Sequence, residues 1–351
     1  MIKYIGSKRV LISVLRDIVT SLEGVETVVD FFSGTSRVGH ALKGDGYRVV
    51  ANDLLTYAHT LATCYVQADR DAVIADASKL LDEFGRIRGA PGYFTETFCE
   101  RSRFFKPHNG ERIDAIREAI AAKSLDPELE AVCLVSLMEA ADRVDSTTGF
   151  QMAYLKQWAP RASNDLELRL PDVQPAASFG KCEAHQLESR DAARVLKGDL
   201  AYIDPPYNQH SYIGNYHIWE TLVRWDKPEF YGVACKRIDC KERKSDFNSK
   251  RRTLDAFRSF LAAVDCRYLV VSFSNEGYIP RDIMEELLGE HGDVYTVEKE
   301  HKRYVGAQIG IYNPSGKVVG EVSHLGNKEY IYVVVPSGYA GPLGVAPCAH
   351  G

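Results

Sequence analysis

The clearest chemistry in the chain lies in Ala201-Tyr202-Ile203-Asp204-Pro205-Pro206-Tyr207-Asn208. An exocyclic amine on a nucleobase is a poor nucleophile, because its lone pair is drawn into the ring. A carboxylate and a carbonyl that accept its two N–H protons raise its nucleophilicity. Asp204 can supply the first acceptor and the Pro205 backbone the second. Pro205 and Pro206 would hold both groups rigidly, so the catalysis is preorganisation rather than general base catalysis. Tyr207 can stack on a base taken out of a duplex. Read alone, the same residues also fit a strand-end turn with a surface acid and a packed tyrosine.

Several elements must position this turn. Leu200 to Ile203 reads as the end of a buried parallel strand, stopped by two prolines that lack an N–H and fix φ. Asp204 then stands at a strand's carboxyl end, where ligands lie in open α/β sheets. Thr27 to Phe32 is another strand, running into Ser33-Gly34-Thr35-Ser36-Arg37-Val38-Gly39 and a following helix. Strand, glycine-bearing turn and helix make the first crossover of a doubly wound sheet. The next strand, Tyr47 to Ala51, ends in Asn52-Asp53. Asp53 lies about 20 residues beyond the first turn, the spacing at which an acid meets ribose hydroxyls. Together the turn and the acid predict an adenosine derivative as ligand. No phosphate-loop lysine follows the second turn, which argues against a triphosphate.

Further candidates are weaker one by one. Lys3-Tyr4-Ile5-Gly6-Ser7-Lys8 precedes an amphipathic segment from Val10 to Ser21 and can bracket a small anionic or zwitterionic ligand. By itself it is more simply a helix entry. Glu183 is either a strand-end acid near an adenine or a surface glutamate. Lys236, Arg237, Lys241, Arg243, Lys244, Lys250, Arg251 and Arg252 crowd a stretch with only Asp239, Glu242 and Asp246 as acids. Such a patch suits phosphate contacts, although many charge runs are solvated faces. From Gly89 to Pro175 the pattern is irregular apart from a helical segment, Glu128 to Val144. Basic and aromatic residues interleave there (Arg103, Phe104, Phe105, Lys106, Tyr154, Lys156, Trp158, Arg161), as on a nucleic-acid surface or a solvated insertion. His301-Lys302-Arg303-Tyr304 is a second basic-aromatic spot.

Composition bounds the reading. The 351 residues suffice for one large domain plus a smaller one. The net charge of −5 does not itself suggest nucleic acid, but a binding face can be local. No apolar run reaches membrane-spanning length, and the N-terminus does not read as a signal peptide. The eight cysteines form no CxxC pair, so no metal site is expected; reduced thiols in a cytoplasmic protein are the simplest reading. The expected architecture is α/β: a doubly wound, mostly parallel Rossmann-like sheet built from residues 1–88 and 176–336. A smaller region, 89–175, is inserted for target recognition, and residues 337–351 form a loose tail.

Taken together, the motifs resemble the Dam-like class of adenine-specific DNA methyltransferases, most closely either half of the FokI-type methylases. Lys3 to Lys8 resembles that family's N-terminal cofactor motif and Asp30-Phe31-Phe32-Ser33-Gly34-Thr35 its first-strand motif. Asp53 matches its second-strand acid, Asp204-Pro205-Pro206-Tyr207 its catalytic motif, and Ser272 to Gly277 a later one. The resemblance implies S-adenosylmethionine (AdoMet) as cofactor and N6 of a flipped adenine in double-stranded DNA as target. It implies cofactor contacts from Tyr4, Lys8, Phe32, Ser33, Gly34, Thr35, Glu183 and Asp204, with Asp53 on the ribose. Two departures stand out. Serine occupies position 36 where the family usually has glycine, which is expected to crowd the cofactor's methionine end. Glutamate stands at 183 where aspartate is commoner.

The expected function is therefore a site-specific DNA N6-adenine methyltransferase, the modification arm of a restriction–modification system. By analogy it acts as a monomer, separate from any cognate endonuclease. The rival readings are the same chemistry on cytosine N4 or RNA adenine, and a non-catalytic DNA-binding module that kept the fold. A cytosine-C5 enzyme is rejected, because the only Pro-Cys is Pro347-Cys348.

Overall fold

The computed structural model describes residues 1–6, 8–302, 311–312, 318–320 and 326–343. Ser7, Arg303-Tyr304 and the end of the tail from 344 lie outside the described residues.

Seven strands form the main sheet. They are β1 (Thr27–Asp30), β2 (Arg48–Asn52), β3 (Glu183–His185), β4 (Leu200–Ile203), β5 (Tyr268–Ser274), β6 (Asp293–Lys302) and β7 (Gly326–Val335). Their spatial order is β3-β2-β1-β4-β5-β7-β6. The first five pair in parallel, while β7 runs antiparallel between β5 and β6. This is the doubly wound, Rossmann-like sheet that the sequence predicted.

Parallel strands need both faces covered, and their residues divide accordingly. Val28, Val49 and Val270 enter one core with Leu15 of α1 (Ile12–Ser21) and Leu42 of α2 (Arg37–Gly44). Val29, Val50 and Val271 enter the opposite core. There they meet Ala192 of α7 (Ser189–Val195), Phe257 of α9 (Thr253–Leu261) and Met284 of α10 (Arg281–Gly289). The strand order reverses between β1 and β4, and their register sets Asp30 opposite Tyr202. The crevice at that reversal is where such sheets bind ligands.

Between β2 and β3 the chain builds a helical body: α3 (Thr56–Ala62), α4 (Arg70–Gly85), α5 (Pro107–Ala122) and α6 (Pro127–Val144). Asp126 caps α6 by accepting from the Glu128 N–H, and Pro127 starts the helix without losing a bond. Leu81 and Phe84 of α4 share one core with Ile113 and Ile116 of α5, Val132 of α6, and Trp219 of α8 (His217–Arg224). The expected domain boundary at residue 88 thus falls inside continuous packing.

The sequence pattern misses α5, whose inner face carries polar residues. Asp114, buried on α5, accepts from the Gly92, Phe94 and Thr95 N–H groups and from the Thr95 hydroxyl. Gly338 and Tyr339, in the segment expected as a tail, touch the sheet. The Tyr339 ring packs edge-on to Tyr268 at 5.8 Å, and the Gly338 N–H donates to Asp293.

Candidate active site

The carboxyl ends of β1, β2 and β4 open onto a cavity of about 320 Å3. It is lined by Tyr4, Lys8, Asp30, Phe32, Ser33, Gly34, Thr35, Asp53, Asp204 and Pro206, among others. These residues come from four separate stretches of chain, brought together by the parallel register. Pro205 and Tyr207 are not among the lining residues. The Tyr207 ring rests 5.6 Å from that of Phe273, with Lys8 Nζ 5.6 Å from its own centre.

The first turn shows why glycine is needed at 34. Gly34 has φ +50, and a Cβ there would meet the Tyr4 ring at 3.4 Å. Tyr4 is fixed in turn by near-parallel stacking on Tyr216 at 4.5 Å and Tyr212 at 5.3 Å, and by a 3.1 Å hydrogen bond to the Tyr57 hydroxyl. Asp53 receives the Gly34 and Leu55 N–H groups, each at 3.0 Å. Burial pushes its carboxyl up to about 6, against the pull of those hydrogen bonds.

Asp30 is 1 % exposed at the end of β1. Burial, then the charges of Asp204 and Asp53, raise its carboxyl well above the usual carboxylate range. Its Oδ1 and the buried Ser33 Oγ have no hydrogen-bond partner among the described residues. An unmet buried acceptor costs on the order of 1–3 kcal/mol, so this cradle suits a ligand that brings donors or positive charge. Asp30 is a site residue that the sequence does not single out, although strand-end acids facing the crevice are its main signal.

Asp204 meets the ammonium of Lys8 at 3.1 Å through Oδ1. Lys8 is 6 % exposed and also lies 3.2 Å from Glu329 of β7. Burial pushes the Asp204 carboxyl up to about 6, Lys8 drawing it down and Glu329 pushing it up. The lysine is held well above its ordinary value by Asp204 and Glu329, although burial opposes this.

Two expected site residues lie elsewhere. Glu183 begins β3 opposite Val50 rather than ending it, and pairs with Arg48 and His185 outside the cavity lining. The acid that reaches the cavity on this side is Glu188, just past the strand, beside Leu187 and Ser189. Arg237 is only 2 % exposed, clamped by Asp226 at 2.7 and 2.8 Å and by Asp239 at 3.1 Å. That guanidinium is thus taken up inside the fold by carboxylates. Ser36 does not line the cavity; it is fully buried at φ 58 with its Oγ unpartnered among the described residues.

The rest of the basic stretch is divided. Arg243 lines the cavity and donates to the buried Glu220 at 2.9 Å, and Lys244 lines the cavity beside it. Lys241 lies 4.2 Å over the Tyr231 ring, Arg252 pairs with Asp246 at 2.9 Å, Lys236 is half-buried, and Lys250 and Arg251 are exposed. The interleaved 101–161 stretch is mixed: Arg101, Arg103, His108 and Lys156 are exposed, while Lys106, Tyr154, Trp158 and Arg161 are half-buried. Phe104 and Phe105 are core residues, Arg103 covers Trp158 at 4.9 Å, and Arg161 binds the buried Asp145. No group of three or more His, Cys, Asp or Glu among the described residues can hold a metal ion.

The family follows from this geometry and from kinship. A family model described as the D12 class N6 adenine-specific DNA methyltransferases matches residues 4–279. The type II methyltransferase M.FokI of Planomicrobium okeanokoites is 30% identical over 321 residues, 85% of this chain and 48% of that protein. The modification methylase StsI of Streptococcus sanguinis is 29% identical over 82% of this chain and 46% of its own. The type II methyltransferase M.NlaIII of Neisseria lactamica is 27% identical over 93% of this chain and 99% of its own. The chain belongs to the D12 class of N6 adenine-specific DNA methyltransferases. It spans about half the length of M.FokI and StsI and nearly the whole of M.NlaIII.

Proposed function

We propose that the chain transfers a methyl group from AdoMet to N6 of an adenine flipped out of duplex DNA, as the modification arm of a restriction–modification system. The carrying observation is Asp204 at the switch-point crevice, beside an acid-lined cavity and held by Lys8. Bound AdoMet supplies a methyl group on a sulfonium, ready for direct in-line displacement. The chain's residues do the rest. Asp204 and the Pro205 carbonyl accept hydrogen bonds from the two N6–H groups and aim the lone pair; as the N–CH3 bond forms the S–CH3 bond breaks, and the methylated amine then releases one proton to water. Tyr207 is proposed to stack on the extruded ring.

For the cofactor, Asp53 takes the ribose hydroxyls and the Phe32–Thr35 turn encloses the middle. Asp30 Oδ1 and Ser33 Oγ offer acceptors to the methionine ammonium, which explains their unmet state. Lys241, Lys244, Lys250, Arg251 and Arg252 are proposed to meet phosphates, and region 89–175 to recognise the site. A monomer acting in the cytoplasm beside a separate nuclease fits this reading. Among the described residues no helix is long and apolar enough to cross a membrane.

The test is transfer of labelled methyl from AdoMet to unmethylated genomic duplex DNA, followed by nucleoside separation. Label in N6-methyladenine is expected. Label in N4-methylcytosine, or in RNA alone, would overturn the substrate, and AdoMet binding without any transfer would overturn the reaction.

A further inference from the structure

We propose that Glu329 is a positioning residue for the methyl transfer: it shares Lys8 with Asp204, and so keeps the lysine from monopolising the carboxylate that must accept the amine. This role rests on the reading of Asp204 as that acceptor.

Glu329 lies far from the catalytic turn in sequence, on the antiparallel strand β7. Its register sets it opposite Ser274 at the end of β5 and Lys299 of β6. It is 5 % exposed, so its charge is not there for solubility. The Lys8 ammonium stands 3.1 Å from Asp204 Oδ1 and 3.2 Å from Glu329 Oε2, nearly equidistant. In a buried setting one ammonium against one carboxylate is a strong pair, and breaking it to admit a substrate amine is costly. A second carboxylate at the same distance divides the lysine's field and donors. Asp204 thereby keeps more of its acceptor capacity for an incoming donor.

The other groups around Asp204 do not substitute for Glu329. The Tyr207 ring lies beside Lys8, Tyr202 donates to Ser272 at 3.1 Å, and Tyr212 lines the cavity. Asp30 faces Asp204 from β1, whereas the ion pairs of Lys8 run to Asp204 and Glu329. The opposing pulls of Lys8 and Glu329 on the Asp204 carboxyl, which sits at about 6, are the electrostatic counterpart of this geometry.

The sign is testable in both directions. Removing the Glu329 charge by Glu329→Gln should lower the pH at which Asp204 protonates, and Lys8→Met should raise it. The titration is followed by 13C NMR of aspartate side chains in the cofactor-free protein, with Asp204→Asn assigning the resonance. In parallel, kcat/KM for duplex DNA at saturating AdoMet is measured across pH. Wild-type transfer needs ionised Asp204, so it is present above about pH 6 and lost as pH falls through that value. Glu329→Gln should shift this acid limb to lower pH and cut the plateau at least tenfold, leaving AdoMet affinity within about twofold.

An unmoved Asp204 titration in folded Glu329→Gln overturns the proposal, as does an unmoved acid limb with an unchanged plateau. Should Glu329→Gln fail to fold, Lys8→Met decides: Asp204 titrating at the wild-type pH there overturns the shared-lysine arrangement. A wild-type protein that methylates no DNA would overturn the proposed function instead, a result visible before any variant is made.

Discussion

Two regions of this molecule handle charge in opposite ways. At the carboxyl edge of the sheet, Asp30 is buried and Asp53 and Asp204 are half-buried, all three with raised carboxyls, and Asp30 Oδ1, Ser33 Oγ and Ser36 Oγ lack partners among the described residues. Around the loop after α8, Arg224, Arg237 and Arg243 interlock with Glu220, Asp226 and Asp239 until the guanidinium of Arg237 is enclosed. The carboxyls of Asp226 and Asp239 are correspondingly lowered, burial opposing and Arg237 prevailing. Asp30 Oδ1 and Ser33 Oγ stay unmet beside a cavity where a ligand can meet them, whereas the guanidinium of Arg237 has its hydrogen bonds closed by carboxylates. Density of charge along the sequence does not distinguish the two.

The sharpest test of this contrast is Asp204→Ala. It should lower methyl transfer by about 10³-fold or more, since a preorganised acceptor of developing charge is lost. DNA affinity, read by fluorescence anisotropy, should stay within about threefold. Substantial residual turnover would show that the edge does not work through this acid.

Asp53→Asn comes next. A charge-assisted hydrogen bond is worth about 1.5–3 kcal/mol, so AdoMet affinity by calorimetry should fall by about 10–100-fold while thermal stability changes little. The pH dependence carries a sign. The Asp53 carboxyl is raised from 3.8 to about 6, so its ionised form, and with it wild-type AdoMet affinity, is present above pH 6 and fades as pH falls through that value. In Asp53→Asn this acid limb should disappear.

For the saturated region the outcome should invert. Arg237→Ala is expected to cost about 2–3 kcal/mol in urea unfolding, because it strands Asp226 and Asp239 beside Arg224. Lys250→Ala and Arg251→Ala, both exposed, should each cost under about 0.5 kcal/mol in stability. Each should nevertheless reduce the salt slope of DNA binding by about 0.9 for every phosphate it had neutralised. An Arg237→Ala protein of normal stability would mean that its cage is not structural. An unchanged slope in the lysine and arginine variants would put that patch off the DNA.

The same contrast explains what was legible in the sequence. The strands could be read because parallel strands are apolar on both faces, and Val28-Val29, Val49-Val50 and Val270-Val271 advertise it. Asp204 and Asp53 could be read because prolines and strand ends fix where such acids must lie. Helix α5 could not, since Asn109, Asp114 and Arg117 occupy its buried face and break the apolar period. Which acid of this stretch borders the cavity could not be read, because β3 is only three residues long, and the five positions from Glu183 to Glu188 span from one end of it to beyond the other. Nor could Arg237 be told from Lys250, because its partners Asp226 and Asp239 flank it at spacings that read as an ordinary mixed-charge surface.

Ser36 supplies the finest test of the contrast. It holds φ 58 at the start of α2 with no cap hydrogen bond, a left-handed conformation that costs a residue with a Cβ on the order of 1 kcal/mol. Glycine adopts it freely but gains disorder in the unfolded chain, which offsets part of the relief. Ser36→Gly should therefore raise stability by about 1 kcal/mol or less, read as a rise of a few degrees in Tm. Because the side chain does not line the cavity, AdoMet affinity should stay within about twofold. A larger change in affinity in either direction would mean that the strain is transmitted to the Ser33–Gly34 cradle. The unmet groups at the edge would then be held in place by that strain and not simply awaiting a ligand.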